Sequence, residues 1–112
     1  MNDVLVYLAT NYPELEQRAT MAELDLANKG LRGELNFTHL GFTNLRKLKL
    51  QGNFLTKLTI DISGLDYLNI SDNKIVSLAC GKNLKRIEQM DCFDISNNPL
   101  SNRAKKKFLQ CR

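Results

Sequence analysis

The sequence has no tryptophan, only two prolines, one histidine and three cysteines, and each shortage excludes something. One histidine, His39, and cysteines without C-x-x-C spacing make a poor set of zinc ligands, so no metal site is expected. Cys80, Cys92 and Cys111 form an odd, widely spread set. That is poor material for a disulfide framework and points to a reducing compartment. The longest apolar run, VLVYLA, falls far short of the ~20 residues that a membrane span needs. The start of the chain has no basic region and carries Asp3, so no secretory signal is expected and the chain reads as cytoplasmic, with the nucleus as the alternative. Two glycosylation sequons, at Asn36 and Asn69, matter only in a secreted chain.

What is present is ordinary for a globular protein: 43% hydrophobic and 25% charged residues in 112, enough for a single domain spanning the whole chain. The net charge of +4 is mildly basic, a weak attraction for phosphate or acidic surfaces.

The internal organisation lies in a repeat. Four windows align without gaps: MAELDLANKGL (21–31), LRKLKLQGNFL (45–55), LDYLNISDNKI (65–75) and MDCFDISNNPL (90–100). The fourth residue of each is Leu24, Leu48, Leu68 or Phe93, the sixth Leu26, Leu50, Ile70 or Ile95, and the last Leu31, Leu55, Ile75 or Leu100. The ninth is Asn53, Asn73 or Asn98, with Lys29 as the exception. Alternating apolar residues predict a short strand in each window, and strands stacked side by side bury together what no single window can bury alone. An asparagine at the end of such a strand can turn inward and satisfy backbone groups of neighbouring turns. Lys29 cannot do so, which fits a terminal coil.

These residues resemble the leucine-rich repeat, L-x-x-L-x-L-x-x-N-x-L, over roughly 21–100. The resemblance implies an α/β fold: a right-handed β-α superhelix with about four parallel strands on its concave face and helical caps at both ends. Repeats are expected to start near 21, 45, 65 and 90. Leu35, Phe37, Leu40, Leu58, Ile60, Ile62, Leu78, Leu84 and Ile87 are expected to complete the core from the convex wall. The second return, around TIDISG, is expected to be extended, and the third to contain helix within 83–90.

Residues 1–20 read as an N-terminal cap: a helix capped by Asp3, a break at 11–13, and a second helical turn opening at Pro13. Val4, Leu5, Leu8 and Leu15 are its expected apolar contacts. Residues 101–112 read as a C-terminal cap helix, started by Ser101 or Asn102 and buried through Leu100, Ala104, Phe108 and Leu109.

Nothing supports catalysis. His39 lies on a return segment and is expected to be solvated, no paired carboxylates flank a nucleophile, and no glycine loop matches a phosphate cradle. No enzyme activity and no cofactor are expected. The informative positions are those pointing outward from the strands: Glu23, Lys47, Tyr67 and Cys92, then Asp25, Lys49, Asn69 and Asp94, then Ala27, Gln51, Ser71 and Ser96. Glu23 and Asp25 should face Lys47 and Lys49. Tyr67 is an aromatic on a solvent-facing strand, a residue type enriched at binding hot spots.

The expected function is a non-catalytic protein–protein interaction module. It would hold a protein or peptide on the concave face with Tyr67 as anchor. Lys47, Lys49, Asn69, Asp94, Gln51 and Ser71 would supply polar contacts, and Phe54 would extend the patch at the rim. The alternatives are a purely structural repeat unit, or binding of nucleic acid or an acidic surface by the basic end. That end comprises Arg103, Lys105, Lys106, Lys107 and Arg112, with Lys82, Lys85 and Arg86 nearby in sequence. A solvated helix face is the favoured account of that cluster, and the chain is expected to be a monomer.

Overall fold

The computed structural model describes residues 2–84 and 89–109, without the side chains of Asn2 and Leu109. The expected helix within 83–90 therefore falls largely outside the described residues, as do Lys85, Arg86, Ile87, Cys111 and Arg112.

Each repeat window contributes a three-residue strand: β2 (Glu23–Asp25), β4 (Lys47–Lys49), β6 (Tyr67–Asn69) and β8 (Cys92–Asp94). They form one parallel sheet in the order β2-β4-β6-β8. Its register is unbroken: Leu24 pairs with Leu48, Leu48 with Leu68, and Leu68 with Phe93. The ladder continues past the strands, with Leu26, Leu50 and Ile70 donating to the carbonyls of Lys49, Asn69 and Asp94. The in-pointing leucines of the first three strands are fully buried, and so are Leu26, Leu50 and Ile70. Each such side chain contributes about 1.5–3 kcal/mol by leaving water. The chain is thus a parallel-strand solenoid.

The return path differs from the β-α expectation. The segments after the windows form a second parallel sheet, from β1 (Asn2–Asp3) through β3 (Leu31–Asn36) and β5 (Phe54–Ile60) to β7 (Ser77–Cys80). Among the described residues no α-helix lies between β2 and β8, and Gln89, in the third return, has 3-10 conformation. The extended second return is observed as β5. A register shift opposite Gly33 and Glu34 inserts Thr56 as an extra residue in β5. The bulge puts Leu55 and Leu58, three apart, both on the inner side. Phe37, Ile60, Ile62 and Leu84 are buried as expected, and Leu40 and Leu78 pack partly buried against them. The pairs β2/β3, β4/β5 and β6/β7 make about three turns. In the fourth, β8 leads into α3 (Asn102–Leu109), and no return strand follows among the described residues.

The inward turn after each short strand is held by asparagine. Asn53 and Asn73 are almost fully buried. The Asn53 amide donates to Leu26 O and Leu50 O at 2.9 Å, and its Oδ1 accepts from the N–H groups of Lys29 and Leu31. Asn73 repeats the pattern one coil on, donating to Leu50 O and Ile70 O and accepting from Leu55 N. Asn98 repeats it again with Ile70 O, Ile95 O and Ile75 N. Each carboxamide therefore ties the main chain of its own coil to that of the coil before.

The residue just before each of these positions takes left-handed backbone angles: Asn28 (φ 57°), Gly52 (73°), Asp72 (55°) and Asn97 (58°). Glycine, asparagine and aspartate are the types that tolerate this conformation. At Gly52 a side chain would also strike the Asn28 carboxamide. Laterally, the Asn97 amide donates to Asp72 Oδ1 at 2.7 Å.

At one end of the stack, Asp3 caps α1 (Val4–Asn11) by accepting from Leu5 N and Val6 N. Val4 and Leu8 are buried, and the helix packs on β3. Leu5 and Leu15 are not the expected core contacts: they are 49% and 64% exposed. Pro13 does not open a helix either, because α2 (Leu15–Thr20) follows an extended Glu14. Arg18 organises this end: its guanidinium donates to Tyr12 O at 2.7 Å, Leu40 O at 2.9 Å and Leu8 O at 3.4 Å, and it covers the Phe42 ring.

At the other end, Ser101 Oγ accepts from Ala104 N and starts α3. Phe108 is buried and stacks on Phe93 with ring centroids 5.6 Å apart. Cys80, at the end of β7, is disulfide-bonded. That corrects the expectation that the cysteines stay unpaired; spread in sequence does not measure distance across a stack of coils. Cys92 is a half-buried free thiol.

The asparagine ladder makes a quantitative expectation. Asn73→Ala strands Leu55 N and the carbonyls it served inside the core, and should cost about 2–3 kcal/mol. Asn98→Ala, at a partly buried site, should cost less. Urea unfolding of the two variants measures both; equal and negligible losses would remove the ladder from the account.

Candidate functional site

The outward-pointing residues of the first sheet stand in straight rows because the register is unbroken. Glu23, Lys47, Tyr67 and Cys92 occupy one row, and Asp25, Lys49, Asn69 and Asp94 the next. These positions are half-buried or exposed, as expected for one face of a strand whose other face lines the core.

Tyr67 sits at the centre. The Lys47 ammonium lies 5.1 Å from its ring centroid and the Lys49 ammonium 5.8 Å. At a solvated site each such contact contributes ~0.5–1 kcal/mol. The arrangement holds two flexible cations over one aromatic plane. Glu23 stands opposite Lys47 and Asp25 opposite Lys49, as expected, and an ion pair runs diagonally between them, with Glu23 Oε2 3.7 Å from Lys49 Nζ. A pair this open contributes ~0–1 kcal/mol. Beside this face Arg46 pairs with Asp66 at 2.8 Å, continuing the pattern of lateral charge neighbours.

The second row is built by local turns. Asp94 Oδ1 accepts from Ser96 N at 2.9 Å and Ser96 Oγ at 2.7 Å. Asn69 Oδ1 does the same with Ser71, and Asp25 Oδ1 accepts from Ala27 N. The Ser96 hydroxyl and N–H hold the Asp94 carboxyl below its ordinary value, with burial opposing them weakly. These turns set the chain up for the left-handed residue that follows.

Five of the eight expected contact residues share this face with Tyr67: Lys47, Lys49, Asn69, Asp94 and Gln51. Asn69 and Asp94 each have one oxygen committed internally. Gln51 Oε1 is a buried acceptor that finds no hydrogen-bond partner among the described residues. Ser71 is only 6% exposed and gives its hydroxyl to Asn69, so it shapes the turn more than it offers a contact. Phe54 is 44% exposed but stands apart on β5, opposite Arg32. There it lines the turn edge with Gly52, Asp72, Lys74 and Asn97. It does not extend the Tyr67 patch.

His39 is exposed, and no group of metal-ligating side chains is found among the described residues. No helix is long and apolar enough to cross a membrane among them either. The left-handed positions and Arg18 went unrecognised in the sequence, although the run Asn28, Gly52, Asp72, Asn97 was a visible signal. No family model matches the chain, and no curated protein or solved structure matches it either.

Removing the Ser96 hydroxyl tests the turn chemistry. Because the Asp94 pKa is depressed, its contribution to stability is present above pH 3.8 and is lost as pH falls through the lower folded value. In Ser96→Ala the Asp94 carboxyl should titrate closer to 3.8, with part of the depression left because the Ser96 N–H remains. Carbon-detected NMR titration of Asp94 reads the shift directly.

Proposed function

We propose that this chain is a leucine-rich-repeat protein that binds a protein or peptide segment on the outer face of its short-strand sheet, without catalysis. The repeat assignment is supported by the asparagine bridges, which recur with the same donors and acceptors in successive coils. The observation that carries the binding reading is Tyr67 beneath the two lysine ammonium groups, an aromatic anchor flanked by cations on a rigid sheet. Gln51 adds an acceptor without an internal partner, available to an incoming N–H once its side chain rotates outward.

Size narrows the partner. Four strands span ~14 Å between their outer members, and three residues of strand add ~10 Å in the other direction. A standard protein interface buries ~800 Å² on each partner. The face suits an extended peptide or a narrow element, with micromolar affinity. The compartment reading changes with Cys80: a disulfide favours an oxidising environment over the cytoplasm.

The test is affinity capture from native extract with the wild type and with Tyr67→Ala/Lys49→Glu side by side. The double variant should lose at least tenfold in capture, about 1.4 kcal/mol, while its melting temperature stays close to that of the wild type. Equal capture by both excludes the sheet face.

A further inference from the structure

The two ends of the solenoid carry opposite charge. Residues 2–25, which form β1, α1, α2 and β2, hold five carboxylates (Asp3, Glu14, Glu16, Glu23 and Asp25) against Arg18, a formal −4. At the opposite end α3 holds Arg103, Lys105, Lys106 and Lys107 with no acid, a formal +4. Arg18 keeps its charge while it donates to backbone carbonyls and covers the Phe42 ring, and Glu23 is ion-paired with Lys49, so the acidic surface of this end centres on Glu14 and Glu16.

Apolar surface accompanies the charge at both ends. On α2 and its cap the run Glu14-Leu15-Glu16 is exposed throughout, with Leu15 at 64%. Beside α3 lies a groove of about 340 Å³ between that helix and β7, lined by Val76, Leu78, Ala104 and Phe108. Lys107 lines the groove as well, and Arg103 stands one turn before it on the same helix, both exposed.

We propose that copies of this chain associate head to tail, with Leu15 of one copy entering the groove between β7 and α3 of the next. Glu14 and Glu16 then approach α3 from the side of Lys107, which lines the groove, and Arg103, one turn before it. This replaces the expectation of a monomer. The contact joins two different surfaces, so it propagates into an open array unless the rotation closes a ring. The net charge of +4 on each copy does not prevent it. Four strands at ~4.8 Å plus the terminal helices put the ends well beyond the ~8 Å screening length of physiological salt, so the facing charges dominate.

Sedimentation velocity of the full, unreduced chain over a wide concentration range tests this. The wild type should show a mass rising above 12.8 kDa with concentration, and the association should weaken about tenfold or more when low salt is replaced by high salt. Glu14→Lys/Glu16→Lys takes the acidic end from a formal −4 to 0, and Arg103→Glu/Lys107→Glu takes α3 from +4 to 0, so each variant keeps one charged end. Each variant alone should stay monomeric, and an equimolar mixture of the two should associate. A wild type that stays at 12.8 kDa, variants that associate as the wild type does, or a mixture that fails to associate would each overturn the proposal.

Discussion

Every coil of this molecule bends sharply inward after a strand of only three residues, and the peptide groups at that bend leave water. Left unpaired, each would cost about 1–3 kcal/mol, and the cost would recur in each coil. The carboxamides of Asn53 and Asn73 remove it by offering donors and an acceptor from a single side chain to two successive coils. Since the same atoms bond in each case, the spacing between coils is set by hydrogen-bond length as well as by packing. The unbroken pairing of Leu24, Leu48, Leu68 and Phe93 is the result.

That regularity gives the surface its order. Once inward positions are locked in register, outward ones have no freedom to slip, because a one-residue slip would turn the apolar set to solvent. Lys47, Lys49 and Tyr67 meet for this reason, although Tyr67 is far from the lysines in the chain. The same local turns that organise Asn69 and Asp94 also take up part of their hydrogen-bonding capacity. The face is better furnished with cations and an aromatic plane than with free carboxylates.

The ends of the stack obey a different rule. Interior coils can use each other; terminal coils need something else to cover them. Here α1 and the Arg18 side chain lie against the first coil, and α3 packs on β7 with Phe108 stacked on Phe93 of the last. In the first coil, Lys29 stands where the asparagine would be, and its N–H is served by Asn53 from the next coil. Cys80 adds a covalent tie near the last coil.

The sequence by itself determined the strands, their register and the asparagine bridges, because these follow from residue type at a fixed recurrence and each window carries its own copy of the information. It also placed the helix cap at Asp3 and narrowed the one before α3 to Ser101 or Asn102, of which the structure uses Ser101; both caps are local hydrogen-bond choices. The left-handed turn residues were equally local and equally legible, being Asn, Gly or Asp in every window. The tertiary structure alone decided that the returns pair into a second sheet, that Leu5 and Leu15 face solvent, and that Phe54 stands away from Tyr67. It alone brought Arg18 within reach of the carbonyls of Leu8, Tyr12 and Leu40, and Cys80 into a disulfide. Those outcomes depend on which surface meets which across the stack, and a one-dimensional recurrence carries no measure of that distance.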